Sequence, residues 1–496
     1  MELWGETLTF AAGFFLLLAL ALALSFEFVN GFHDTANAVA TVIYTHTLKP
    51  VYAVIWSGCW NLAGVLWSSG AVAYSIVALL PVELVLHSGS GAGFAMIFSL
   101  LISAIIWNVG TWYLGLPASS SHTLIGAIMG VGLANSIIAG NGWEAGINWS
   151  KAQEVGMALL LSPVVGFVGA ALLFLLIKLL VHREDLFKAP EKGETPPLWI
   201  RGVLMLTCTL VSFFHGSNDG QKGMGLIMLI LVGLVPGAFA LNMATDPAAS
   251  QAAMADLRLM QTALAPQAGT ATMSHDDAVK ELTAYVPATG PKATDRTFAA
   301  VIAESKFIAD TFQAAPDIHN IPRDQRTSLR TDLYLVDEAI GKLGKKKLIT
   351  DPAAIAQVKK AKGDLDKITK YIPLWVKVAV AFALGLGTMI GWKRIVVTVG
   401  EKIGKSHLTY AQGASAEAMA AATIALADGL GLPVSTTHVL SSGIAGTMAA
   451  NRSGLQKDTL ISILLAWVLT LPVCIFLGAT LFSAGLYVTL HVFGIR

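Results

Sequence analysis

Long apolar runs, broken by short polar stretches, dominate this chain. They lie near residues 9–44, 50–80, 92–114, 117–139, 154–181, 199–240, 372–392, 410–430, 433–450 and 458–490. A helix needs about 20 residues to cross the hydrocarbon of a bilayer, and most of these runs reach or approach that length. Hydrocarbon offers no partner to an exposed backbone amide, so spans this apolar must be helical. The pattern predicts an all-α polytopic membrane protein with about 10–12 membrane segments, some of them discontinuous helices or re-entrant hairpins.

One segment departs from the pattern. Residues 246–371 carry 33 of the 65 formal charges, in about a quarter of the length, and include helix-forming stretches such as TDLYLVDEAIGKLGKKK. The prediction there is a polar, helical insert outside the membrane. It divides the chain into a first membrane repeat (1–198), the start of a second (199–245), the insert (246–371) and the remainder of the second repeat (372–496). Composition agrees: 54% of the 496 residues are hydrophobic and only 13% charged, against about a quarter charged in a soluble domain. The 47 glycines suit close helix packing in lipid. Glu2 and Glu6 stand where a secretory signal would be basic, so the first run reads as a span. Cys59, Cys208 and Cys474 have neither disulfide nor metal spacing. A net charge of +1 gives no sign of nucleic-acid binding.

Charge also orients the chain. With the amino terminus outside, short inward loops hold Lys49, Arg183, Lys188, Lys192, Arg201, Lys393, Arg394, Lys402, Lys405, Arg452 and Lys457; outward ones hold only Lys151 and Arg496. That is a positive-inside bias, and it sets the insert outside as well.

Two motifs occur twice. GLPASSSHTLIGAIMG at 115–130 and GLPVSTTHVLSSGIAG at 431–446 agree at eight of sixteen positions, offset by 316 residues. FVNGFHDTANAVA at 28–40 resembles FFHGSNDGQKGMG at 213–225, with Gly31 over Gly216 and Asp34 over Asp219, offset by 185. The difference between the offsets, 131, nearly equals the length of the polar insert. Without the insert both pairs share one register, so the chain reads as two copies of one unit. Each copy has an odd number of crossings, which makes them inverted. Inverted repeats are characteristic of secondary transporters, with cargo held near the midplane.

The motifs carry matching chemistry. Pro117 and Pro433 suit the first turn of a helix, with a restart expected at Ser119 or Ser435. A restarted helix presents free amides and a partial positive charge, an anion site. Ser119, Ser120, Ser121, Thr123, Ser435, Thr436 and Thr437 add hydroxyl donors, and inversion lets the two clusters meet around an oxyanion. Small hydroxyl residues also ease helix packing, but two clusters that both follow Gly-Leu-Pro favour the binding role. Asp34 and Asp219 are carboxylates at membrane depth, where charge is costly and usually functional. Gly31 and Gly216 permit broken helices whose exposed carbonyls can bind a cation, with Asn30, Asn37 and Asn218 as neutral ligands. Oxygen ligands suit sodium, magnesium or a proton relay. Lys222, one turn after Asp219, can pair with it. His33 is a relay candidate. His122 and His438 are expected to orient their hydroxyl helices, and Glu417 to act as a polar gate or proton acceptor. Glu27 and Asn61 are weaker candidates.

These residues bring a family into view. G-F-H-D-T-A-N, G-S-N-D-G-Q-K and the two G-L-P-x-S-x-x-H stretches resemble the inorganic phosphate transporter (PiT) family, most closely its bacterial low-affinity, proton-coupled permeases. The likeness covers roughly 9–240 and 372–490. It implies a phosphate site formed by the hydroxyl helices with Asn37, Asn218 and Lys222, and cation or proton sites around Asp34, Asp219, His33, Asn30 and Glu417. It further implies an inner-membrane location, and proton symport of phosphate as a neutral complex with magnesium or another divalent metal, with Asp34 and Asp219 as metal ligands. No permanently bound cofactor is expected. Expected partners are phosphate, protons, divalent ions and lipid, with a homodimer open. Sodium-coupled relatives tend to show N-D-x-x-N in both halves; here Lys222 replaces the last residue of the second copy, which predicts sodium independence. The alternatives are a sodium-coupled carrier of phosphate, a carrier of another tetrahedral oxyanion such as arsenate or sulfate, a receptor built on the insert, and an intramembrane Ser/His hydrolase. No nucleophile elbow supports the last, and no enzymatic activity is expected.

Overall fold

The computed structural model describes residues 1–80, 84, 90–190, 195–287 and 289–492; Lys192 and Arg496, used above for orientation, lie outside that set. After a two-residue hairpin pairing Glu2–Leu3 with Glu6–Thr7, the described chain is helical. The first half contains α1 (Phe10–Asp34), α2 (Ala36–Tyr44), α3 (Pro50–Trp67), α4 (Ala71–Val77), α5 (Gly91–Tyr113), α6 (Ser120–Ile138) and α7 (Trp149–Leu180). There follow α8 (Leu198–Leu234) and α9 (Pro236–Phe239), then five helices of the charged segment: α10 (Pro247–Ala268), α11 (His275–Tyr285), α12 (Asp295–Ala314), α13 (Arg323–Lys345) and α14 (Pro352–Thr369). The chain closes with α15 (Leu374–Met389), α16 (Lys393–Glu401), α17 (Tyr410–Gly429), α18 (Thr436–Ala450) and α19 (Lys457–His491).

Six helical stretches among the described residues are long and apolar enough to cross a membrane: α1 with α2, then α5, α6, α7, α8 and α19. The other apolar runs form shorter helices, α3, α15, α17 and α18. Only 22% of the most apolar window of α7, and the same share of α19, is buried inside the protein, so these two helices turn their leucines and valines to lipid. In α18, by contrast, all residues from Thr436 to Met448 are buried.

The chain divides into two compact units. The larger contains residues 18–80, 94–227 and 373–496, and its packing turns on glycine. A Cβ on Gly130 of α6 would overlap the Ile475 carbonyl of α19, and one on Gly446 of α18 would overlap the Phe167 carbonyl of α7. The same exchange recurs elsewhere. Gly31 of α1 lies against the Leu384 carbonyl and Gly387 of α15 against the Phe28 carbonyl; Gly216 of α8 lies against the Asn61 carbonyl and Gly64 of α3 against the Phe213 carbonyl. Each hydroxyl helix thus packs on the long helix of the other half, and each Asp-bearing helix packs on a short helix of the other half. Removing a side chain lets backbones approach this closely, which is how helices associate in lipid.

The breaks that Gly31 and Gly216 permit do not occur at these residues. Helix α8 runs unbroken for 37 residues through Gly216, and α1 continues past Gly31 to Asp34. The glycines serve close approach instead. A mid-helix glycine costs only about 1 kcal/mol relative to alanine, which a tight crossing can offset. The interruption falls at Thr35, between α1 and α2, where the hydroxyl shares its proton between the Gly31 carbonyl (2.7 Å) and the Thr388 carbonyl (3.0 Å).

The smaller unit contains residues 1–17 and 228–372, with the described part of 81–93. Here Asp246, Ser274, Thr294 and Asp351 cap α10, α11, α12 and α14. Their inward faces, with that of α13, form one apolar core that includes Leu257, Met260, Leu282, Phe298, Ile308, Phe312, Leu333, Val336 and Leu365. The segment begins and ends at adjacent points, since the Asn242 amide donates to the Ile368 carbonyl at 2.8 Å.

Candidate functional site

The two GLP motifs fold into the same local structure. Gly115 and Gly431 take left-handed φ values of +68° and +66°, so the chain can turn after α5 and α17 without a Cβ clash. The next residue in each motif donates back to a helix carbonyl at 2.9 Å, Leu116 to Thr111 and Leu432 to Ala427. Ser119 and Ser435 then cap the new helices, accepting from the amides of His122 (3.2 Å) and His438 (3.1 Å). The predicted restarts are therefore observed, with α6 and α18 beginning one residue after each cap.

The tips meet. Ser121 donates to the Val434 carbonyl at 2.7 Å, and the His122 and His438 rings lie 4.6 Å apart. Asn37 on α2 donates to Thr436 (3.1 Å) and Thr437 (2.9 Å). Asn218 on α8 donates to the Leu432 carbonyl at 3.1 Å, so its side chain holds the turn of the second tip.

Asp34 lies where the tips converge. Its Oδ1 accepts from Thr437 at 2.7 Å, and its Oδ2 lies 3.0 Å from the Ser120 hydroxyl. Asp219 Oδ2 accepts from Lys222 at 2.5 Å and lies 3.4 Å from the same serine, which itself accepts from Lys222 at 3.1 Å. His33 Nδ1 sits 3.1 Å from Asp34 Oδ1, and its Nε2 lies 3.1 Å from Thr111. All these side chains are buried. Several buried polar atoms here have no protein hydrogen-bond partner: Asn37 Oδ1, Asp219 Oδ1, His215 Nε2 and His438 Nε2.

Other predicted residues make their hydrogen bonds elsewhere, although Glu27 interacts electrostatically with Lys222 and Asp219. Glu417 on α17 accepts from Thr207 at 2.5 Å through Oε2. Asn30 lies 3.5 Å from Glu27, which packs beside Gly223 on α8. Thr123 donates to the Ser119 carbonyl within its own helix.

One residue was not foreseen. His215 Nε2 lies 3.8 Å from Asp34 Oδ2 and 3.5 Å from Asp219 Oδ2, while its Nδ1 sits 2.7 Å from Asn61. At the 185-residue offset it pairs with Asn30 rather than a histidine, so the repeat conceals it. Helical spacing does reveal it, one turn before Asp219. Asp34, His215 and Asp219 each offer a ligand atom, all within 4.8 Å of one another.

A model of the phosphate transporter family matches residues 30–478, across both motif pairs. The chain belongs to this family. The low-affinity inorganic phosphate transporters PitB and PitA of Escherichia coli K12 are 42% and 43% identical to it, each alignment covering 96% of both chains. A probable low-affinity inorganic phosphate transporter of Bacillus subtilis is 30% identical, over 93% of this chain and 95% of the relative. Among solved structures, one described as the sodium-dependent phosphate transporter matches with a TM-score of 0.51 at 19% identity, over 95% of this chain and 98% of that one; the likeness is one of fold. Membership in the phosphate transporter family makes the chain a multi-pass membrane transporter, not an enzyme. The hydrolase alternative falls with it. Ser119 and Ser435, whose hydroxyls accept from the His122 and His438 amides, each close a helix cap.

Proposed function

We propose that this chain carries inorganic phosphate with protons, by alternating access between two inverted halves of the bacterial inner membrane protein. The observation that carries the reading is that Asp34 accepts a hydroxyl from each tip, Ser120 from the first and Thr437 from the second. A carboxylate in that position occupies the donors that a phosphate oxygen needs. Protonating it weakens its hold on both hydroxyls and removes the charge that would repel an incoming anion. Beside Asp34 and Asp219 the neighbourhood holds a third buried carboxyl, Glu27, and one ammonium, Lys222, so acidic groups outnumber fixed positive charge when its histidines are neutral. A phosphate dianion is stable there only if positive charge enters with it. His33 and His215, both beside Asp34, are the groups best placed to take or pass that proton.

Lys222 supports sodium independence, because its ammonium already neutralises Asp219 where an imported ion would otherwise be needed. A divalent ion carried as part of the cargo fits Asp34, His215 and Asp219; the imidazole nitrogen extends the range beyond magnesium to manganese and zinc. The exchanged glycine crossings support the inverted repeat, since each contact has a counterpart in the other half. The charged segment of α10–α14 is read as a domain on the outer face, the side also assigned to the amino terminus.

Proteoliposomes containing the purified chain test this. Labelled phosphate should accumulate when an inward proton gradient is imposed and not when a sodium gradient replaces it, and arsenate should compete where sulfate does not. Uptake driven by sodium alone would overturn proton coupling, and failure to take up phosphate under any gradient would overturn the substrate.

A further inference from the structure

We propose that His275, Glu304 and Asp332 form a binding site for a divalent transition-metal cation of the zinc class, in the helical segment between the two parts of the second membrane repeat. The residues come from three helices, α11, α12 and α13, and each offers a ligand atom within 4.8 Å of the other two. An ion among them lies within reach of all three after a small inward adjustment, since zinc bonds nitrogen and oxygen ligands at about 2.0–2.2 Å.

Burial separates this cluster from an ordinary acidic patch. Glu304 is fully buried and Asp332 is 4% exposed, and each keeps one oxygen, Glu304 Oε1 and Asp332 Oδ2, without a protein hydrogen-bond partner. Leaving such atoms unmatched is costly. Two neighbouring buried carboxyls also cannot both ionise without a counter-charge. The pair therefore holds either a shared proton or a cation. The histidine decides between them: a ring nitrogen, His275 Nδ1, stands 3.0 Å from Glu304 Oε2. Its ring is stacked on Phe307 with centroids 3.7 Å apart, which limits its rotation. A third of the His275 side chain is exposed, giving the ion a way in and a water position. One nitrogen and two carboxylate oxygens is a zinc-type donor set rather than one for calcium.

The site is independent of the phosphate reading, and its test is arranged to keep them apart. Chelator-stripped full-length protein carrying Asp34→Asn and Asp219→Asn, which removes the carboxylates of the membrane cluster, is titrated with zinc by calorimetry and with cobalt by visible absorption. One equivalent of zinc should bind, cobalt should give ligand-field bands, and adding His275→Ala should abolish the bands and weaken zinc at least tenfold. Glu304→Gln should do the same; if that variant unfolds, His275→Ala still decides, because the histidine is partly exposed. No zinc binding to the folded Asp34→Asn/Asp219→Asn protein, or binding unchanged by His275→Ala, would overturn the site and leave a shared proton between the carboxyls. Phosphate uptake by the single His275→Ala variant should match wild type.

Discussion

The rings of His438 and Trp467 stack with their centroids 4.0 Å apart, while the Trp467 indole donates to the Pro117 carbonyl at 2.9 Å. One tryptophan on α19 therefore touches both hydroxyl tips, the second through its histidine and the first through its proline. Trp467→Phe keeps the stack and deletes the donor. A hydrogen bond of this kind contributes about 0.5–1.5 kcal/mol, so phosphate uptake should fall about two- to tenfold while the amount of inserted protein stays constant. Initial rates in proteoliposomes normalised to protein measure this. An unchanged rate would mean that the Pro117 contact does not help place the first tip.

Asp34 and Asp219 should not tolerate loss of their charge. Asn at either position keeps the size but replaces an acceptor oxygen with a donor, facing the Ser120 hydroxyl and His215 at both sites and Lys222 at Asp219. Breaking a buried, hydrogen-bonded charge network costs about 3–5 kcal/mol, and in a carrier it also removes the candidate proton acceptor. Labelled-phosphate uptake should drop at least a hundredfold in Asp34→Asn and Asp219→Asn, with normal insertion by size-exclusion chromatography. Wild-type uptake in both would remove these carboxylates from the mechanism.

How the site was legible in sequence explains where it was not. The hydroxyl tips could be read because one sixteen-residue pattern occurs twice, and identical sequence met identical backbone demands at Gly115 and Gly431. The aspartates stood out as charges inside apolar runs. Sequence could not tell that Gly31 and Gly216 sit in unbroken helices, because a glycine that bends a chain and one that admits a neighbour's backbone look alike. Only the crossing partners, Leu384 and Asn61, separate the cases. His215 was missed because its counterpart is Asn30, so the repeat did not mark it, whereas His33 stood out by adjoining Asp34. Glu417 stood out as a charge within a span, but its partner Thr207 could not be read from spacing, because a charge within a span does not by itself identify its partners.

The glycine crossings give a stability test with a control on the same helix. At Gly216 an added methyl meets the Asn61 backbone, whereas at Gly202, also on α8, nothing lies within 4 Å. Overpacking a tight contact costs about 1–3 kcal/mol, while alanine in an open helical position is neutral or favourable by up to about 1 kcal/mol. Thermal unfolding in detergent should therefore show Gly216→Ala well below wild type and Gly202→Ala at or above it. Equal behaviour of the two variants would deny that the α3–α8 crossing depends on glycine.

Removal of the charged segment should leave transport intact. Asn242 and Ile368 are joined backbone to backbone at 2.8 Å, so a short Gly-Ser linker can replace the intervening chain without stretching. The segment has its own core, and none of the side chains that surround Asp34 and Asp219 comes from it. Uptake per molecule should remain within about threefold of wild type, since changing the length of a surface connection costs little free energy. A well-inserted but inactive deletion would assign the segment a direct part in transport.

Lys222 offers the sharpest test of coupling. Its ammonium contacts Asp219 and Ser120 at once, in a fully buried position. Lys222→Asn removes the fixed charge and supplies a neutral oxygen ligand one turn from Asp219. The buried carboxylate is then left without its partner, a loss of about 3–5 kcal/mol unless another cation replaces it. Sodium can do so where a proton cannot satisfy several oxygens together. Proton-driven uptake should fall at least tenfold, and part of the loss should return as external sodium is raised with potassium as control. Lys222→Arg keeps the charge and should stay sodium-independent. If Lys222→Asn transports like wild type and ignores sodium, the fixed ammonium has no role in choosing the coupling ion.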